Sequence, residues 1–208
     1  MSLPLVSRTQ VPLMNFLPIF VSYSLFQEER MDYRDAQREA REIFLGGSVG
    51  QAVTGTLWLV STLFGTLVGI RAAVEALFLG GFFIFPITQG VLKLMGRPAS
   101  LKKENPLSNY TLLSVLAMTL LYPLVYAACL RNINWFYPSF LIIIGTHYLS
   151  FVALYGLLHY LVLGVVMAGG GILIGFLLPH SFTAGGWFGA LLVLSFAPLL
   201  YLGSRKKV

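Results

Sequence analysis

WFYPSFLIIIGTHYLSFVALYG, residues 135–156, decides the fold: it runs from Trp135 to Gly156 without one Asp, Glu, Lys or Arg. A helix needs about 20 mostly apolar residues to cross a bilayer, and this stretch supplies them. After Leu157 comes a second such run, LHYLVLGVVMAGGGILIGFLL, residues 158–178. Working outward, further apolar runs occupy residues 44–69, 72–95, 110–130 and 182–203. All are too long and continuous for barrel strands, which alternate over about ten residues. With no water in a bilayer core to satisfy the backbone, continuous runs of this kind read as helices. The expectation is an all-α fold, a polytopic transmembrane helical bundle of six spans in one domain over residues 31–208.

Composition agrees. The chain is 57% hydrophobic and 11% charged, with mean hydropathy +0.79, whereas soluble domains carry about 25% charged residues. A soluble core cannot absorb that much apolar surface, so the bilayer is the expected partner. The net charge of +6 is no nucleic-acid signal, because the basic residues flank the apolar runs, where anionic lipid attracts them. The single cysteine, Cys129, excludes an internal disulfide and a thiolate metal cluster. No metal-ligand spacing, phosphate loop or nucleophile elbow is present, so no cofactor is expected.

Charge then orients the spans. Arg30, Arg34, Arg38 and Arg41 precede span one; Lys93, Arg97, Lys102 and Lys103 lie around the loop between spans two and three; Arg205, Lys206 and Lys207 follow span six. The other side receives only Arg71 and Arg131. The positive-inside rule predicts both termini in the cytoplasm, and the expected location is a bacterial cytoplasmic membrane. Tyr110, Trp135, Phe136, Tyr137, Tyr155, Tyr160 and Trp187 fall near span ends, the place of interfacial aromatic belts.

Residues 1–30 read as an interfacial or poorly ordered leader, or as an over-extended gene start. Gln27-Glu28-Glu29-Arg30 can be encoded by a purine-rich string of the ribosome-binding type, directly before Met31. From Asp32 the chain reads as a helix whose Tyr33, Ala36, Ala40 and Ile43 share one side. A solvated extension of span one is the expectation there, ahead of a surface that binds membrane or partner.

Few polar residues lie inside the spans, where such groups usually face the bundle interior. His147 stands near the middle of span four, with Thr146 and Ser150 beside it. The opposed directions of the spans bring Gln51 and Gln89 to similar depth, just below His147, with Thr54 on the face of Gln51. These six residues outline a polar pocket among spans one, two and four, open to the cytoplasm. A neutral imidazole there can donate, accept or exchange a proton. For the glutamines, interhelical hydrogen bonding explains their presence at least as well. Arg71 and Glu75, four apart at the outer end of span two, read as an interfacial ion pair rather than a coupling site.

Small residues recur at helical spacing: Ser61, Gly65 and Gly69; Gly164 and Ala168; Gly171 and Gly175; Gly185 and Gly189. Such faces let helices approach closely, within the chain or in a homo-oligomer. Pro86, Pro123 and Pro198 fall inside spans two, three and six and are expected to kink them. His159 and His180 read as solvated loop residues.

With these residues placed, the chain resembles an uncharacterised family of small bacterial integral membrane proteins, known only as a domain of unknown function. The resemblance covers about residue 31 to the C-terminus. It rests on the acidic-basic N-terminal helix, Phe85-Pro86, Asn105-Pro106-Leu107, and Gly145-Thr146-His147-Tyr148-Leu149 with Tyr155. It implies a six-helix membrane protein and supplies no activity. The leading expectation for function is binding or transport of a small molecule or ion near His147. A structural or regulatory membrane subunit comes next. A membrane enzyme is third, since no catalytic constellation is visible.

Overall fold

The computed structural model describes residues 31–205, and the expectations for residues 1–30 lie outside them. All the regular structure in the described part is helical. The helices are α1 (Tyr33–Phe44), α2 (Ser48–Leu67), α3 (Ile70–Gly81), α4 (Ile84–Leu94), α5 (Tyr110–Thr119), α6 (Tyr122–Arg131), α7 (Phe136–Tyr155), α8 (His159–Leu177) and α9 (Ala184–Arg205). Five stretches are long and apolar enough to cross a membrane: Tyr33–Leu67, Tyr110–Arg131, Ile133–Tyr155, His159–Leu177 and Ala184–Arg205. The pair α3 and α4, bent by 56°, makes a sixth if it is counted as one broken span.

The prolines meet the sequence expectation in part, since span two is bent by 56° just ahead of Pro86 and span three is interrupted ahead of Pro123. Span two breaks at Phe82-Phe83, after Gly80-Gly81, where Phe82 N–H donates to Leu79 O at 3.2 Å and Phe83 N–H to Gly80 O at 2.9 Å. Pro86 then lies in the first turn of α4, where a missing N–H costs little. Pro123 opens α6 in the same way. Pro198 instead sits inside α9, which runs unbroken past it.

Close packing centres on two helix pairs, α7 with α8 and α9 with α2. Gly145 and Gly164 bring α7 and α8 almost into backbone contact. A Cβ on Gly145 would stand 2.8 Å from Gly164 O, and one on Gly164 would stand 2.6 Å from Gly145 O. Gly171 faces Pro138 and Leu141, Gly189 faces Trp58 and Leu141, and Gly65 faces Ala73, Phe182 and Thr183. At these positions the small-residue faces are filled by the chain itself, whereas Gly69 has nothing within 4 Å. By contrast α5 buries no residue and α6 only Val125, so this span lies at the periphery, against α7.

Two further expectations need correction. Phe136, Tyr137, Tyr155 and Tyr160 do not face an interface but are buried in the core. Their rings satisfy one another, with Tyr155 stacked on Tyr160 at 5.5 Å and Trp58 tilted on Tyr137 at 5.8 Å. Nor is α1 a solvated extension of span one. Leu45, Gly46 and Gly47 all have positive φ (52°, 62° and 80°), a run that breaks the helix. α1 then packs on the end of α7, with Ala36 and Ala40 fully buried. Tyr33 Oη and Gln37 Nε2 each donate to Ala153 O at 2.7 Å. On its charged side, Arg38 pairs with Asp35 at 3.8 Å.

Candidate functional site at the α1 end of the bundle

α2 begins where α7 ends and α8 starts. Gly47 at the head of α2 lies directly against Tyr155 and Tyr160, leaving no space for a Cβ. Tyr160 Oη donates to Gly46 O at 2.9 Å. One turn further along α2, Gln51 is 3% exposed and its amide lies beside the hydroxyls of Tyr148 and Tyr160. Its Oε1 has no hydrogen-bond partner. A buried acceptor left unmatched costs about 1–3 kcal/mol, so its retention in this position calls for a reason. Phe151 closes the aromatic wall, 5.2 Å from Tyr160 and 5.8 Å from Tyr148 between ring centroids.

His147 stands next to this group but turns to another neighbour. Its Nδ1 is 2.9 Å from Ser114 Oγ on α5, which is 2.6 Å from Ser150 Oγ. Ser150 Oγ donates to His147 O at 2.7 Å. One proton arrangement satisfies all three side chains: His147 Nδ1–H donates to Ser114, Ser114 to Ser150, and Ser150 to the backbone. Nε2 is then the bare nitrogen. The imidazole edge rests on Phe151, with centroids 4.9 Å apart. Among the described residues no Asp, Glu, Lys or Arg hydrogen-bonds to or ion-pairs with His147.

The other residues expected at the site are dispersed around it. Thr146 donates to Ile143 O at 2.8 Å on its own helix and is exposed. Thr54 is half-buried on the next turn of α2. Gln89 is half-buried on α4, which packs on α2. Its neighbour Thr88 stands 3.7 Å from a Cβ built on Gly50, which sets Gln89 level with Gln51. Thr88 Oγ1 is a second buried oxygen without a partner. Arg71 and Glu75 meet at 2.7 Å on an exposed surface at the other end, and such pairs contribute little. His159 is not a solvated loop residue, since its Nδ1 is buried and unpartnered against Gly203. His180 is exposed, as expected.

Sequence reasoning missed Ser114, Tyr148, Tyr155 and Tyr160. Ser114 carries no signal beyond being a hydroxyl in an apolar run. Tyr155 and Tyr160 gave a misleading one, because a tyrosine near a span end reads as interfacial, and Tyr148 entered only as part of the stretch around His147. A hint lay in Gly46-Gly47, a pair that permits left-handed backbone and the close approach of rings.

A family model described as "Family of unknown function (DUF7010)" matches residues 33–202, and the chain belongs to that family. Comparisons with curated proteins and with solved structures find no match.

Proposed function

We propose that this member of the DUF7010 family is a six-span protein of a bacterial cytoplasmic membrane that binds or passes a small polar molecule or ion at its cytoplasmic end. Both termini lie in the cytoplasm in this reading, and Gln51 anchors the ligand. The observation that carries it is the Gln51 side chain, nearly fully buried with Oε1 unmatched. Within an apolar bundle a ligand that offers N–H or O–H supplies the missing partner. The tyrosine hydroxyls and ring faces around Gln51 suit the same ligand.

His147 supports the site from the side. Its imidazole, tied to Ser114, holds the peripheral span against α7. With only serine hydroxyls as polar partners, it lacks the second ionisable group that acid–base chemistry needs, which weighs against an enzyme. The same observation favours a second reading, in which the polar groups bind helices together in a structural or regulatory subunit.

Thermal-shift screening of the purified protein against metabolites and ions separates the two. A true ligand raises the midpoint of the wild type. Gln51→Leu removes the unmatched acceptor together with the amide beside the Tyr148 and Tyr160 hydroxyls, and it loses the ligand shift measured from its own unliganded midpoint. A shift unchanged in Gln51→Leu removes Gln51 from the site. If no compound shifts the wild type, the structural reading stands.

A further inference from the structure

α1 and the loop before α5 carry polar contacts that the proposed function does not use. Asn105 is 1% exposed. Its Oδ1 accepts from Leu107 N–H at 2.8 Å, an Asx turn that directs the chain into α5. Its Nδ2 reaches across to α1, donating to Ala36 O at 3.2 Å and Glu39 Oε2 at 3.0 Å. Glu39 Oε1 accepts from Lys102 N–H at 3.2 Å, and Arg97 donates to Glu42 O. On its other flank α1 is held by Tyr33 and Gln37 on Ala153 O, and Gln37 covers Gly156.

These contacts have a common character. They are polar, most engage backbone carbonyls, and along the body of α1 the buried side chains are the small Ala36 and Ala40, the larger packed groups being Met31 ahead of it and Phe44 beside the Leu45–Gly47 segment. A helix fixed by large apolar anchors would be costly to lift. One fixed by a handful of hydrogen bonds, each replaceable by water, is not. The segment joining it to α2 is Leu45–Gly47, two of its three residues glycine and all left-handed. Gly46 and Gly47 sit immediately beside Tyr160 and Tyr155, the walls of the Gln51 site.

We propose that α1 is a lid over the Gln51 site, hinged at Leu45–Gly47 and latched to the loop before α5 by Asn105 and Glu39. This rests on the reading of Gln51 as a ligand site. It gives a role to two features that have none in a plain bundle: the charged N-terminal helix and Asn105-Pro106-Leu107. Release of the latch opens a path from the aqueous side to the head of α2.

The test needs no ligand, so it can fail independently of the binding reading. Ser48, buried at the start of α2, is replaced by cysteine in a Cys129→Ser background. The full chain is purified in detergent, where both ends of the bundle meet the reagent, and labelling by a water-soluble maleimide is timed. A reference cysteine replaces Thr183, half-buried beyond the opposite end of the bundle. Asn105→Ala and Glu39→Gln each label Ser48→Cys roughly tenfold faster, the weight of one or two lost hydrogen bonds, with the Thr183→Cys rate unchanged. Tyr33→Phe combined with Gln37→Leu frees the opposite flank and gives the same result. Labelling at the parental rate in both latch variants overturns the lid. Equal acceleration at Thr183→Cys also overturns it, because that reports loosening of the whole bundle.

Discussion

Ser114 shows how little of a polar network one residue announces. A serine in an apolar span is ordinary, whereas a histidine is not, so His147 stood out in the sequence and its partner did not. Both hydroxyls it engages are committed, through Ser114 Oγ at 2.9 Å and Ser150 beyond it. Ser114→Ala strands His147 Nδ1 and the acceptor lone pairs of Ser150 in a partly buried place. The expected cost is about 1–3 kcal/mol, read as a lower thermal midpoint of the detergent-purified protein. The same deletion at Ser195, an exposed hydroxyl that bonds only its own helix at Leu191 O, leaves the midpoint nearly unchanged. Equal midpoints for the two variants would show that the Ser114 link carries no weight. Gln51 combines both effects, since its removal relieves an unmatched acceptor and also takes an amide from beside the Tyr148 and Tyr160 hydroxyls.

At the scale of elements, periodicity and composition revealed where helices run, and chemistry at their ends revealed less. The long apolar runs became α2, α7, α8 and α9 nearly as spaced in the sequence. The spacing of Gly164 and Ala168 showed a close approach, but only the structure supplies its partner, Gly145 on α7. Breaks were harder to read. Pro86 and Pro123 suggested kinks within helices, and each span is instead interrupted outright, restarting at Ile84 and Tyr122 so that the proline lies in a first turn, where it is tolerated. The docking of α1 escaped the sequence because Leu45, with φ of 52°, is not a residue that signals left-handed backbone. The glycine approach gives a direct prediction. Gly145→Ala places a methyl 2.7 Å from Ala168 N and 2.8 Å from Gly164 O. Both are backbone atoms, so the helices must part, at about 1–3 kcal/mol. Gly169→Ala, with nothing within 4 Å, gains helix propensity and holds or raises the thermal midpoint. Equal midpoints for the two variants would mean that α7 and α8 do not pack through Gly145.

For the whole molecule, span number and orientation come down to which loops share an end. α1 precedes α2, and the loop holding Asn105 bonds to α1 at Ala36 and Glu39. The chain leaves α2 at its far end, so α3 and α4 together must return it to the α1 end before Asn105. A re-entrant α3–α4 would leave that loop at the Arg71 end, out of reach of α1. The close of α9 belongs to the α1 end as well, for a Cβ on Gly46 would stand 3.1 Å from Leu200 O. This supports the six crossings proposed above, and the charge distribution bears on the side: Arg34, Arg38, Arg41, Arg97, Lys102, Lys103 and Arg205 crowd the α1 end, against Arg71 and Arg131 at the other. The proposed cytoplasmic side is the crowded end, by the positive-inside rule. In a Cys129→Ser background, His180→Cys in the loop between α8 and α9 is then labelled by an impermeant maleimide in intact cells. Ser100→Cys, in the loop before α5, is labelled only after the membrane is opened. The reverse pattern would invert the bundle and expose α1 and the Gln51 site to the outside. Labelling of both positions in intact cells would mean that α3 and α4 do not cross, and would break the link between Asn105 and α1 on which six crossings depend.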